Sequence, residues 1–187
     1  MKEVINIINT LFNKYYTTEE FENDDEFKMI LKKKLDKVLF NIAISSLMEI
    51  KDMDTTQNVI VTGFWLNYYN KKNEVPMRKL LLQNFHNSHE DIVSLFQSQW
   101  NNDTENISVL LKALERIPEY LQPEDFKYPY VRKIIYAIGA QPQPESLLAL
   151  EKLVSETNDK KIKELALHQI EKRKELGRWE FEKNNKY

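Results

Sequence analysis

Cysteine is absent from the chain, which excludes disulfides, thiolate-held metal sites and a cysteine nucleophile, and fits a reducing compartment. Glycine and proline are scarce, three and six in 187 residues, too few turn formers for a β-sandwich, so helices are favoured. Three isolated glycines also cannot build a P-loop, a dinucleotide fingerprint or a G-x-S-x-G elbow, which disfavours nucleotide and acyl chemistry. No run of about 18 uncharged apolar residues occurs, so no transmembrane helix is expected. Charge of one sign is lacking too. With 27 basic and 29 acidic residues and a net charge of −2, nothing calls for a polyanionic partner. Aromatics, by contrast, are plentiful: nine Phe, nine Tyr and three Trp. A chain of this length suits one domain burying about 70% of its unfolded surface.

The apolar residues of the first segment, Val4, Ile7, Ile8 and Leu11, are spaced as on one face of a helix rather than fused into a run, unlike a signal peptide. A soluble, cytoplasmic protein is expected. Thr17 to Asp25 reads as an acidic loop, with Asp24 placed to cap a second, longest helix whose stripe runs Leu31, Leu35, Val38, Leu39 and Ile42. Val59 to Tyr69 is ambiguous. Its β-branched and aromatic content suits a strand, but no second strand is near, and a buried helix is preferred. Pro76 is placed to open the next helix, with Met77, Leu80, Leu81 and Phe85 inward.

From His89 onward, five amphipathic stripes follow one another: Ile92, Leu95, Phe96, Trp100; Ile107, Leu110, Leu111, Leu114; Val131, Ile134, Ile135, Ile138; Leu147, Leu150, Val154; and Ile162, Leu165, Ala166, Ile170. Each obeys helical spacing. Ser88 with Asp91 resembles a capping box, Asp103 or Thr104 can cap the second helix, and Pro118 lies beyond its end. Gly139 is placed as a left-handed C-cap of a helix over 129–139, Pro142 and Pro144 precede a helix from Glu145 to Glu156, and the last helix runs from about Asp159 to Leu176, ending at Gly177. Ile92 to Val131 is 39 residues and Ile107 to Leu147 is 40, close to the roughly 40–47 of a HEAT or armadillo unit. The expected fold is therefore all-α: a HEAT-like α-solenoid of about nine helices. It forms a single domain over 1–187, with irregular N-terminal helices in 1–87, HEAT-like pairs in 88–176, and a polar tail, 177–187, in which Trp179 and Phe181 alone look able to dock.

The strings HEDIVSLFQ (His89–Gln97), PEYL (Pro118–Leu121), VRKIIYAI (Val131–Ile138), ESLLALEKL (Glu145–Leu153) and IKELALHQI (Ile162–Ile170) occur in an order that resembles a group of bacterial HEAT-repeat proteins. The resemblance covers about the second half of the chain. Members are often encoded near polymorphic toxins, which implies an immunity protein that binds and neutralises a cognate toxin. Ile134, where Cys is common in the group, and Ala140 to Pro142, where a Gly-Thr turn is usual, depart from the pattern.

Among individual residues, Trp100, Tyr120, Tyr128 and Tyr130 combine the residue types that dominate interface energetics with a long connection. Alternatively they roof the core between repeats. Arg132 and Lys133 open a repeat helix where cations oppose the dipole, so one of them is expected to pair with an acid of a neighbouring helix, Glu119 or Asp125 being the candidates. As partner-binding residues the chain thus offers Trp100, Glu119, Tyr120, Asp125, Tyr128, Tyr130 and Arg132. His86 and His89 lie at a spacing that can place two imidazoles together for a metal. The simpler reading is a first-turn hydrogen bond from His89 with Glu90 and Asp91 complementing the helix dipole. Carboxylates from Glu19 to Glu26 read as a solvated loop or as a surface for a basic partner. The chain reads as a protein-binding repeat protein rather than an enzyme, with no catalytic residues, metal or cofactor. A general interaction scaffold is the rival. A nucleic-acid or base-processing role is disfavoured, because TENISVLLKALERI and PESLLALEKLVSE are too poor in Lys and Arg to track phosphates.

Overall fold

The structure, a computed structural model, describes residues 2–176; Gly177, Trp179 and Phe181 lie outside the described residues. Ten α-helices and one short 3-10 turn make up the described chain, which holds no strand. The fold is all-α. No helix among the described residues is long and apolar enough to cross a membrane. The chain divides into two compact units, Met1–His89 and Glu90–Tyr187, at nearly the position where the sequence changes from irregular helices to repeating ones.

Unit 1 contains α1 (Lys2–Thr17), α2 (Asp24–Lys34), α3 (Lys37–Ile50), α4 (Met53–Leu66) and α5 (Lys71–Leu80). The long helix expected from Asp24 onward is two helices. Leu35 is extended at φ −130 and Asp36 caps α3, its carboxylate accepting from the Leu39 amide. The cap for α2 is Asn23 rather than Asp24. Because the chain turns at residues 35–36, the stripe drawn across it does not share one face: Leu31 and Leu35 are buried while Val38 is 65% exposed. The Tyr68 hydroxyl donates to the Leu35 carbonyl freed by this break, at 2.9 Å.

The ambiguous Val59–Tyr69 segment is helical as far as Leu66, starting from an Asp52 cap. The Thr56 and Thr62 hydroxyls of α4 bond back to the carbonyls four residues earlier, the arrangement that lets a threonine sit inside a helix. Asn67 then closes the helix in the left-handed region, at φ 51. The next helix begins earlier than Pro76. Asn70 and Asn73 form a reciprocal capping box, so Pro76 falls inside α5.

Unit 2 contains the remainder of α6 (His89–Ser98), then α7 (Glu105–Glu115), the 3-10 turn Glu119–Leu121, α8 (Glu124–Ala140), α9 (Glu145–Glu156) and α10 (Lys160–Leu176). The α6, α7 and α8 stripes point inward, with Ile92, Leu95, Phe96, Ile107, Leu110, Val131, Ile134, Ile135 and Ile138 buried. Each such side chain contributes about 1.5–3 kcal/mol. On α9 only Leu150 of its stripe is fully enclosed, and Leu148 is exposed. The proposed Gly139 cap is instead a helical position inside α8. A Cβ there would meet the Gln169 side chain at 2.2 Å, so its glycine permits close approach of α8 and α10. Asn106 and Gln141 knit the unit together: Gln141 Nε2 donates to the carbonyls of Phe96 and Ala137, and its Oε1 accepts from Asn106.

Candidate functional site

Helix α8 starts five residues before the expected helix, so most of what looked like a long connection is helical. Glu124 and Asp125 occupy its first turn, where negative charge complements the exposed amides. The Phe126 and Lys127 amides reach the Pro123 carbonyl. One turn on, Tyr128 meets the start of α10. Asp159 caps α10 with one carboxylate oxygen, which accepts from the amides of Lys161 and Ile162. Its other oxygen accepts from the Tyr128 hydroxyl at 3.2 Å and from Lys127 Nζ at 3.4 Å.

The Tyr128 ring is held by cations as well. Lys161 Nζ lies 4.0 Å from its centroid and Lys127 Nζ 5.0 Å, within the range of cation–π attraction. Burial and the neighbouring Asp159 charge raise the Tyr128 phenol above its usual range, so it remains a hydrogen-bond donor. Burial alone pushes Asp159 up, but bonds from the Ile162 amide, Lys127 and Tyr128 outweigh it and hold the carboxyl low. Around this centre lies a shallow depression of about 350 Å³. Asp125 and Arg132 stand at its rim, with Pro129 and Leu165 as apolar walls. Next to it in sequence, Phe126 is 56% exposed.

Three of the sequence candidates, Asp125, Tyr128 and Arg132, are thus brought together. Glu119 is exposed on the 3-10 turn and Tyr120 beside it is half-buried. Trp100 and Tyr130 are elsewhere, inside the core: Trp100 packs on the Phe96 ring at 5.4 Å and its carbonyl accepts from Asn106, and Tyr130 has no exposed surface. These two fit the roof-of-the-core alternative, and neither side chain presents itself to a partner. The expected interhelical ion pair exists with a different acid. Lys133 bonds Glu90 of α6 at 2.9 Å, whereas Arg132 is exposed and makes no ion pair among the described residues. The reason is helical phase, since consecutive residues project about 100° apart and Lys133 alone faces α6.

The histidine pair does come together. His86 and His89 stack with centroids 4.2 Å apart, yet each directs Nε2 to a backbone carbonyl, Leu80 at 2.9 Å and Gln83 at 2.8 Å. Those nitrogens are engaged, and among the described residues no group of three or more His, Cys, Asp or Glu is arranged to hold a metal ion. Sequence reading missed Asp159, Lys161, Lys127 and Phe126. The first has a capping signature, Asp before a helix, but nothing local ties residue 159 to residue 128. No protein-family model, no curated protein and no solved structure matches the chain.

Proposed function

We propose that the chain is a protein-binding helical-repeat protein that engages its partner through the exposed side of α8, and that the partner is a cognate bacterial toxin which it neutralises in the cytoplasm by covering a functional surface. The observation that carries this reading is the Tyr128 centre: an aromatic side chain fixed by Asp159, Lys127 and Lys161, with exposed Arg132, Asp125 and Phe126 around it. Tyr and Arg are the side chains on which interface energy concentrates, and one held in place before binding loses less entropy on association.

The packing of unit 2 supports the HEAT-like part of the proposal. Helix α8 packs on α7, α9 and α10, and α7 also reaches α9, the neighbour pattern of stacked helix pairs, which present extended surfaces to partners. The choice of a toxin as partner rests on the resemblance of the HEDIV, PEYL and RKIIYAI strings. Co-expression with the product of the gene directly upstream, in a toxin-sensitive bacterium, tests it. Restored growth together with a co-purifying complex is the expected result. Arrested growth with no complex overturns the immunity reading and leaves a general scaffold in its place.

A further inference from the structure

Within unit 1, α1 and the start of α4 enclose an open depression of about 550 Å³. Asn9, Asn13 and Tyr16 of α1 form one wall, and Asp52, Asp54, Gln57 and Asn58 form the other. No lysine, arginine or histidine lines it. Its polar groups are also oriented. Asn58 Nδ2 donates to Asn9 Oδ1 at 3.1 Å, Asn9 Nδ2 donates to Thr55 Oγ1 at 2.8 Å, and the Thr55 hydroxyl and amide both bond Asp52. Donors therefore run in one direction along the wall and end on a carboxylate.

The orientation leaves acceptors over. The Asn9 and Gln57 carbonyl oxygens are taken, by Asn58 and by the Ser88 hydroxyl, whereas the Asn58 carbonyl oxygen and the side chains of Asp54 and Asn13 make no hydrogen bond or ion pair among the described residues. Two carboxylates and outward amide oxygens, beside the 65% exposed Tyr16 ring, complement a planar cation with many donors. Guanidinium is that group: five N–H donors in a fixed fork, and a flat face that stacks on aromatics. An ammonium, with three donors and strong hydration, matches less of the surface.

We infer that this depression receives an arginine side chain of a basic protein segment. The acidic run Glu19–Glu26 belongs to the same unit and is tied to α1 by the hydrogen bond between Tyr15 and Asp24. That run attracts basic residues flanking the docked arginine and speeds encounter. This inference stands apart from the α8 surface, and either holds without the other.

The test is titration of the full chain with fluorescein-labelled hexa-arginine and hexa-lysine peptides at physiological salt, followed by anisotropy. The account expects one-to-one binding of hexa-arginine, about tenfold tighter than hexa-lysine. It also expects a further loss of about tenfold or more in Asp54→Lys and in Tyr16→Ala, in line with one charge-assisted contact. Asp54 is exposed and bonds no other side chain, so an unchanged helical circular dichroism spectrum shows that the variant is folded; Asp54→Asn serves as the milder second variant. Absence of hexa-arginine binding overturns the inference. So does equal affinity for the two peptides, or affinity that both Asp54 variants and Tyr16→Ala leave unaltered, since either marks diffuse attraction to the acidic run.

Discussion

The His86 imidazole lies stacked on that of His89, planes within 19° of each other, and the two rings bond the carbonyls of Leu80, the last residue of α5, and of Gln83 just beyond it. His86 also accepts from the Ser88 amide at Nδ1, at 3.1 Å, so it is neutral with its proton on Nε2. Burial lowers both rings' affinity for a proton, and for His89, with the neighbouring His86 adding to the effect, the pKa falls from 6.5 to about 4. Above pH 6.5 both states are neutral and stability is full. As pH falls from 6.5 toward 4, the unfolded chain takes up protons that the folded chain refuses, so stability is lost. For His89 alone that loss is about 3 kcal/mol. Urea midpoints at pH 7 and pH 4.5 measure it, with His89→Phe showing the shallower dependence. A pH dependence identical in wild type and variant contradicts the account.

Gly63 in α4 lies against the rings of Phe40 and Tyr69, where a Cβ would come within 2.5 Å of each. Both rings are buried and Tyr69 is tied by its hydroxyl to the Ile60 carbonyl, so neither can yield cheaply. Gly63→Ala is expected to lower stability by about 1–3 kcal/mol through overpacking, despite the better helix propensity of alanine. At Gly139 the obstruction is the single Gln169 side chain. Gly139→Ala combined with Gln169→Ala should therefore recover part of the single-variant loss, which a double-variant cycle in urea reads directly.

Replacing Gln141 by leucine removes the donor to two buried carbonyls and the acceptor for Asn106. Buried partners left unsatisfied make such a change costly, about 2–4 kcal/mol, and thermal unfolding should show it without loss of helical signal in the native baseline. Stability within about 0.5 kcal/mol of wild type would mean that the network is not what joins α6, α7 and α8.

Core and surface aromatics of unit 2 should behave in opposite ways. Trp100→Ala opens a cavity and is expected to cost about 3–5 kcal/mol, with any loss of partner binding following from unfolding. Arg132→Glu alters the exposed side of α8 and should lower partner affinity about tenfold or more at a stability cost below about 1 kcal/mol, whereas Tyr128→Ala also gives up the bond to Asp159 and the two cation–π contacts and should cost about 1–2 kcal/mol besides. Melting temperature and affinity measured on the same preparations separate the two.

What was readable in the sequence follows physical range. The five stripes from Ile92 to Ile170 were legible because 3.6-residue periodicity is written locally, and α9 lies where its residues place it. The break between α2 and α3 was hidden because no glycine or proline marks it and Leu31, Leu35, Val38 and Leu39 keep helical spacing across it; Asp36 was the sole signal. The start of α5 at Lys71, behind the Asn70 cap, was obscured by NKKNEV, which has little apolar periodicity, and the buried Glu74 there depends on Lys71 and Arg78 closing around it. At the candidate site, Asp125, Tyr128 and Arg132 could be singled out by residue type. Their joining by Asp159 and Lys161 could not, since that pairing spans 31 residues and exists only once α10 packs on α8.

The most direct test of the α8 surface is calorimetric titration of the upstream gene product with the wild-type chain and with Arg132→Glu/Tyr128→Ala. The account predicts a one-to-one complex for the wild type and an affinity lower by about a hundredfold for the double variant, with both proteins folded. No complex with the wild type, or one of equal affinity with the double variant, would contradict it.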